Sequence, residues 1–410
     1  MAAAACTERL ETGAACPVLC PDQGVPVLDT VIDALSLDTT LSGFPAPGAA
    51  AFVLLASRGD SLETRTVFRF DVLPTRFLPA GRTDSAAITA VDSAFLRLRL
   101  DTSGTRATGP LTIEAYDVDT TGTSDTSGVV LGTLFRADRL LGSRTFARAE
   151  LLDSIRVPLA NAAVASRVVS PSRLRIGLRI RSATSAQLRI FGTVAGTGTL
   201  GARLSYDAAG DTVYRALVVA PQSSTPTASP LLAGGYADYT LVVRGTPTSL
   251  GTDIVVGGVP SRRAYLRFGV PSRFVDSSTV VRATLLLTQR PSVGVDGRDS
   301  LTLLPEVVVA SESITDLARA VLLTAPGDLL LGIDTLRVAA ADSGVRAISV
   351  VGLVRLWASQ PPGNVRAIVL RAAAEGAQAG EIRFHSREAR ADLRPRLRIS
   401  YIPRVQFGIP

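Results

Sequence analysis

Apolar and polar residues alternate along most of this chain in short runs. In Phe95-Leu96-Arg97-Leu98-Arg99-Leu100 and in Arg173-Leu174-Arg175-Ile176-Gly177-Leu178-Arg179-Ile180, a period of two sends aliphatic side chains to one face and arginines to the other. Runs of this kind predict strands at 51–56, 66–73, 93–100, 111–117, 174–181 and 186–194. A second series falls at 212–219, 240–244, 253–256, 264–270, 280–288, 301–309, 347–354, 367–371, 381–385 and 397–401. Clusters such as Asp101-Thr102-Ser103-Gly104 divide them as turns. Helical spacing is confined to Ser313 to Leu323, through Ile314, Leu317 and Val321, and to a short stretch from Leu134 to Leu141. The expected class is all-β: two tandem jelly-roll-like antiparallel β-sandwich domains behind an irregular N-terminal leader.

The two series are copies. Val67-Phe68-Arg69-Phe70 with the following Pro74-Thr75-Arg76-Phe77 returns as Tyr265-Leu266-Arg267-Phe268 with Pro271-Ser272-Arg273-Phe274. Each copy closes on a similar strand, Ala202-Arg203-Leu204-Ser205-Tyr206 and Arg396-Leu397-Arg398-Ile399-Ser400-Tyr401. Matched positions lie 198 residues apart at Arg69 and Arg267 and 195 apart at Tyr206 and Tyr401, a spacing that suits a duplicated domain and exceeds any solenoid repeat. The expected division is a leader at 1–23, a first sandwich at 24–207, a second at 208–403 and a tail at 404–410.

Charge narrows the chemistry. All 43 basic residues are arginine, there is one histidine (His385), and the net charge is +7. Lysine-based chemistry is thereby excluded. The arginines stand singly on strands, which fits a solvated sheet face that resists edge aggregation, with an anion-binding surface as the alternative. No basic run, zinc spacing or aromatic-rich motif points to nucleic acid. No stretch of eighteen apolar residues occurs, so contact with a bilayer would come through a lipid anchor or a partner.

Cys6, Cys16 and Cys20 all lie in the leader. Ala3-Ala4-Ala5-Cys6 resembles the end of a bacterial lipoprotein signal, which implies lipid attachment at Cys6 and a place at the periplasmic or extracellular face. Only five residues precede Cys6, and Ala3 stands where that signal prefers leucine. If Cys6 is lipidated, Cys16 and Cys20 are left to pair as a disulfide in an oxidising compartment.

The second copy carries a family resemblance. Val354-Arg355-Leu356-Trp357, Gly363-Asn364, Phe384-His385-Ser386-Arg387-Glu388 and Arg394-Pro395-Arg396-Leu397 resemble the end of the DNRLRE-type domain, similar to carbohydrate-binding module family 96. With Arg267-Phe268, the resemblance spans about 236 to 403; the first copy matches more weakly and lacks a Trp357 or Ser-x-Glu counterpart. It implies an extracellular, non-catalytic role. Trp357 is read as a core plug rather than a sugar platform. Ser386 and Glu388 are read as satisfying local donors or pairing with an arginine such as Arg394.

Three site candidates follow. Ser57-Arg58-Gly59-Asp60-Ser61-Leu62 resembles the nucleophile block of GDSL-type esterases, but the only histidine lacks an aspartate three residues earlier, so the serine has no activating base. Asp117, Asp119 and Asp125 space oxygen ligands as a calcium loop would, although no glutamate completes an EF-hand and hydrophilic turns share this composition; no other cofactor is expected. Tyr236 and Tyr239 are the one close aromatic pair that could form a sugar platform. Two functions remain open at this level. One is a non-catalytic subunit docking other proteins of an envelope or membrane complex, photosynthetic ones included. The other is a surface lipoprotein recognising an anionic polysaccharide through arginines.

Overall fold

The computed structural model describes residues 27–119, 128–194, 201–213, 215–223, 237–246, 251–292, 296, 299–308, 334–359 and 366–404. The chain opens with β1 (Leu28–Ile32) and β2 (Leu35–Phe44). The first series runs β3 (Phe52–Arg58), β4 (Leu62–Phe70), β5 (Arg76–Phe77), β6 (Ala86–Ala87), β7 (Val91–Arg99), β8 (Arg106–Ala107), β9 (Leu111–Asp117), α1 (Gly128–Gly132), β10 (Leu140–Phe146), β11 (Ser154–Pro158), α2 (Asn161–Val169), β12 (Leu174–Arg181), β13 (Ala186–Phe191) and β14 (Arg203–Ala208). Next come β15 (Leu217–Val219) and β16 (Asp238–Arg244). The second series is β17 (Ile254–Gly257), β18 (Ser261–Phe268), α3 (Ser272–Val275), β19 (Ser278–Arg290), β20 (Ser300–Val307), β21 (Leu336–Ala339), β22 (Gly344–Ser349), α4 (Val351–Ser359), β23 (Ala367–Ala372), β24 (Glu381–Phe384) and β25 (Arg396–Pro403).

Alternation sorts each strand into an inner and an outer face, and antiparallel pairing stacks the inner faces as two sandwiches. In the first, a sheet ordered β10-β9-β12-β4-β3-β13-β8, with β16 added to β4, faces a smaller one ordered β11-β7-β14-β15. Leu96, Leu98, Ile155, Val157, Leu204 and Tyr206 of the small sheet meet Val53, Leu55, Phe68, Phe70, Ile176 and Leu178 of the large one. Burial also raises the pKa of the Tyr206 phenol, whose hydroxyl donates to the Pro74 carbonyl at 2.7 Å. In the second sandwich both layers belong to one eleven-stranded sheet. Its thirteen-residue β19 turns the corner: most of its length pairs with β25 and β22, while Gln289 and Arg290 pair with β24. Leu285, Leu397 and Ile399 then lie over Leu266, Ile368 and Leu370.

Strand pairing crosses the boundary expected at 207/208. β15 and β16 follow that point yet complete the first sandwich, on β14 and β4. β1 and β2 stand at the opposite end of the chain and complete the second, on β25 and β18. The two closures share one geometry. Asp38-Thr39-Thr40-Leu41 faces Leu266 to Arg263 residue by residue, as Asp238-Tyr239-Thr240-Leu241 faces Phe68 to Arg65. The Thr40 hydroxyl accepts the Val255 N–H at 3.2 Å and the Thr240 hydroxyl accepts the Leu54 N–H at 2.9 Å. The Asp38 carboxylate accepts the Arg387 N–H at 2.8 Å and that of Asp238 accepts the Thr193 N–H at 2.6 Å. The second sandwich is therefore closed by β1 and β2, and residues 45–51 lead from β2 to β3 of the first body.

A buried seam joins the bodies. Leu54, Ala56 and Leu62 of the first pack on Val259 and Ala379 near the second. Beside them Asp299, 5% exposed, holds Arg58 at 3.0 Å and Arg106 at 2.7 Å, while Arg58 also donates to Gln187 at 2.8 Å. An apolar seam with a multiply bonded carboxylate at its rim resists sliding, because any displacement strands buried charge.

Several local expectations change. Residues 351–354, read as the end of a strand, start helix α4. This helix carries Leu353, Val354 and Trp357 into the core at helical spacing, and Trp357 is 2% exposed, the core position expected for it. The short helix expected over Leu134 to Leu141 is a single turn at Ala137–Arg139 leading into β10. The helix expected from Ser313 to Leu323 lies outside the described residues.

Candidate functional site

The sequence candidates scatter rather than converge. Tyr239 is not a platform: as the second residue of β16 it points into a cluster with Val67, Tyr116, Leu131 and Phe135, and is 4% exposed. The tyrosine is buried because β16 pairs along β4 and lays this residue beside Val67, against Tyr116 of β9 and Leu131 of α1, instead of leaving it in a loop. Tyr236 lies outside the described residues, as do Asp125, Cys6, Cys16 and Cys20.

Asp117 and Asp119 sit at the end of β9, where arginines already engage both carboxylates. Arg167 bonds Asp117 at 2.8 Å and Arg173 bonds Asp119 at 2.7 Å. Arg139 donates to the backbone carbonyls of both residues. This is a latch between β9 and the α2 region. Among the described residues no group of three or more His, Cys, Asp or Glu is placed to hold a metal ion.

The esterase-like block is the β3–β4 hairpin. Gly59 takes a φ of +53° at its turn, and the Ser61 hydroxyl donates to the Arg58 carbonyl at 2.7 Å. Ser386 and Glu388 bond each other at 2.6 Å, and Glu388 takes Arg387 at 3.1 Å rather than Arg394, which donates to the Ala389 carbonyl. These residues thus order the loop whose backbone N–H is capped by Asp38.

A cleft of about 730 Å³ opens beside the seam, lined by Arg58, Arg106, Arg148, Thr105, Gln187 and Asp296 among others. Its arginines do not converge on open space. Arg58 and Arg106 are committed to Asp299, and Arg148 stands exposed at the rim.

A different arrangement occupies the outer face of the small sheet in the first body. Arg156 on β11, Arg97 on β7 and Arg203 on β14 stand directly opposite one another across three adjacent strands. Neighbouring strands lie ~4.8 Å apart, so this is a row of like charges at the closest spacing a sheet allows. Alternation explains why all three point outward: Leu96, Leu98, Ile155, Val157 and Leu204 on either side of them fill the core. None of the three has a carboxylate partner among the described residues. Burial, and after it Arg97 across the strand, lowers the pKa of Arg203. The Arg156 guanidinium lies 4.8 Å from the centre of the Phe95 ring in the next row. The carboxylates flanking the row are engaged elsewhere: Asp207 accepts the Ser93 hydroxyl, and Asp153, just before β11, pairs with Arg99 at 3.6 Å. Single arginines on alternating strands were legible in the sequence; their alignment depends on strand register, which was not.

No family model matches the chain, and no curated protein matches it. Among solved structures, that of the Macrobrachium rosenbergii nodavirus aligns over 98% of this chain and 96% of its own, at 8% identity and a TM-score of 0.18. The infectious bursal disease virus VP2 subviral particle aligns over 88% and 79%, at 11% identity and a TM-score of 0.12. Likenesses of that strength carry no inference about this protein, whose fold class rests on its own strand pairing.

Proposed function

We propose that this chain is a non-catalytic structural or protein-interaction subunit, working at the extracytoplasmic side of an envelope or membrane-associated complex. The observation that supports this most is the closure: two sandwiches completed by the same strand geometry and clamped through Asp299 make one stiff block. Such a block suits holding surfaces in fixed relation. The chemistry-bearing groups noted in the sequence fit the same reading, since Asp117, Asp119, Ser386 and Glu388 are all spent on internal bonds. The extracytoplasmic location rests on the resemblance of Ala3 to Cys6 to a lipoprotein signal and of the second copy to the DNRLRE-type domain.

The test is purification of the native protein in mild detergent followed by native mass spectrometry. A fixed stoichiometric complex is expected. A solitary monomer that turns over an ester or glycoside substrate would refute the proposal.

A further inference from the structure

The duplication supplies an internal control for the arginine row. In the second body the equivalent row is Ser349 on β22, Thr284 on β19 and Arg398 on β25. There the single arginine is neutralised: Asp29 on β1 accepts Arg398 at 3.0 Å and also takes the Ser400 hydroxyl. The register opposite Ser400 is Asp29, and the register opposite its counterpart Ser205 is Val218, 54% exposed. In this row the second copy thus carries one arginine with a strand-borne carboxylate beside it, whereas the first carries three arginines and an exposed valine in the carboxylate's place. Like charges directly opposite each other on a sheet are destabilising, so the fold gains nothing from the first arrangement on its own.

We infer that the outer face of the small sheet of the first body, centred on Arg156, Arg97 and Arg203, is a docking surface for an acidic segment of a partner protein. Charge complementarity selects the partner, and Asp29 in the second copy illustrates the interaction at the equivalent place. Guanidinium forks in a row can each take a carboxylate bidentately while the strand spacing holds them in register. The surroundings favour protein over glycan. Phe95 is the one aromatic among the outward residues of these four strands, and Arg156 already covers it, leaving no ring for a sugar to stack on. Exposed Val218 beside the row supplies the apolar contact that accompanies arginine in protein interfaces.

The test uses the full chain with a fluorescein-labelled hexaglutamate peptide as probe, read by anisotropy at low salt and at ~0.5 M salt, where exposed charges are screened. The wild type binds and salt releases the probe. R97T/R156S, which installs the residues of the second copy, weakens binding about tenfold, the product of two exposed pairs. V218D weakens it similarly by supplying the carboxylate from within the chain. R82S/R337S removes the same two charges from exposed positions elsewhere and changes the affinity less than about twofold. Circular dichroism confirms that each variant is folded. Equal loss in R82S/R337S, undiminished binding by V218D, or stronger competition by an oligogalacturonate than by unlabelled hexaglutamate would each overturn the assignment. This surface presupposes the interaction function proposed above. An unresponsive variant panel removes the surface alone, whereas substrate turnover by the wild type removes the function itself.

Discussion

Phe44→Ala should damage the end of the molecule most distant from it in sequence. Phe44 ends β2, is 1% exposed, and packs among Tyr265, Val308, Ala367 and Val369 of the second body. The Arg263 guanidinium lies 4.0 Å from its ring centre and is fixed there by Glu375, with two bonds of 2.7 Å. Removing a fully buried phenylalanine costs about 3–5 kcal/mol through lost transfer energy and the cavity left behind. For a body of this size each kcal/mol moves the melting temperature by roughly 2–4 °C, so a drop on the order of 10 °C is expected in the second body's transition. Calorimetry measures the drop, and hydrogen exchange read by mass spectrometry locates it. Peptides covering 261–268 and 367–372 should lose protection, while those covering 52–70 and 174–191 keep it. Loss of protection in 52–70 instead would mean that β2 belongs to the body it precedes, and the closure would be refuted.

Four further outcomes follow from the same geometry. Thr40→Ala and Thr240→Ala each strand a backbone N–H, at Val255 and Leu54, costing about 1–2 kcal/mol; exchange should place the T40A effect in the second body and the T240A effect in the first, and the reverse would sink the pairing. Burial raises the Asp238 pKa to about 6, so the folded protein holds a proton that the unfolded chain has released. Stability therefore falls as pH rises from ~4 to ~6 and stays lower above that, by about 3 kcal/mol, and urea midpoints of D238N should lack that fall. Asp299→Ala leaves Arg58 and Arg106 without their shared carboxylate, and a loss of about 2–4 kcal/mol with separation of the two melting transitions is expected by calorimetry. Arg97→Thr relieves the like-charge row and should raise stability by about 0.5–1 kcal/mol in denaturant titration; a lower midpoint would show that the row is internally favourable.

Much of the fold was legible because strand formation follows a local rule. Alternation placed β7, β9 and β12 to within two residues, and the Arg-Phe and closing strands marked the duplication. β1 and β2 escaped the same reading for a physical reason. Their residues are mostly exposed or half-buried, so the period-two signal that burial imposes is weak. Trp357 is legible as core, yet Val351, Leu353 and Val354 just before it fit the period of a strand as well as that of a nine-residue helix. The sequence around Tyr239 reads as a loop, and only pairing with Val67 on β4 buries its ring.

Local residue pattern was enough to set which segments become strands, which side of each faces the core, and that one architecture occurs twice. Those properties depend on side-chain period and on residues a few positions apart. Tertiary structure alone decided which strands are neighbours. Backbone ladders accept any partner, so nothing local tells β2 to pair with β18 across more than two hundred residues, or β16 to turn back to β4. The same holds for the arginines. Their outward direction is a matter of alternation, but whether a carboxylate stands beside them depends on register between distant strands, which puts Asp29 opposite Ser400 beside Arg398 and Val218 opposite Ser205 beside Arg203.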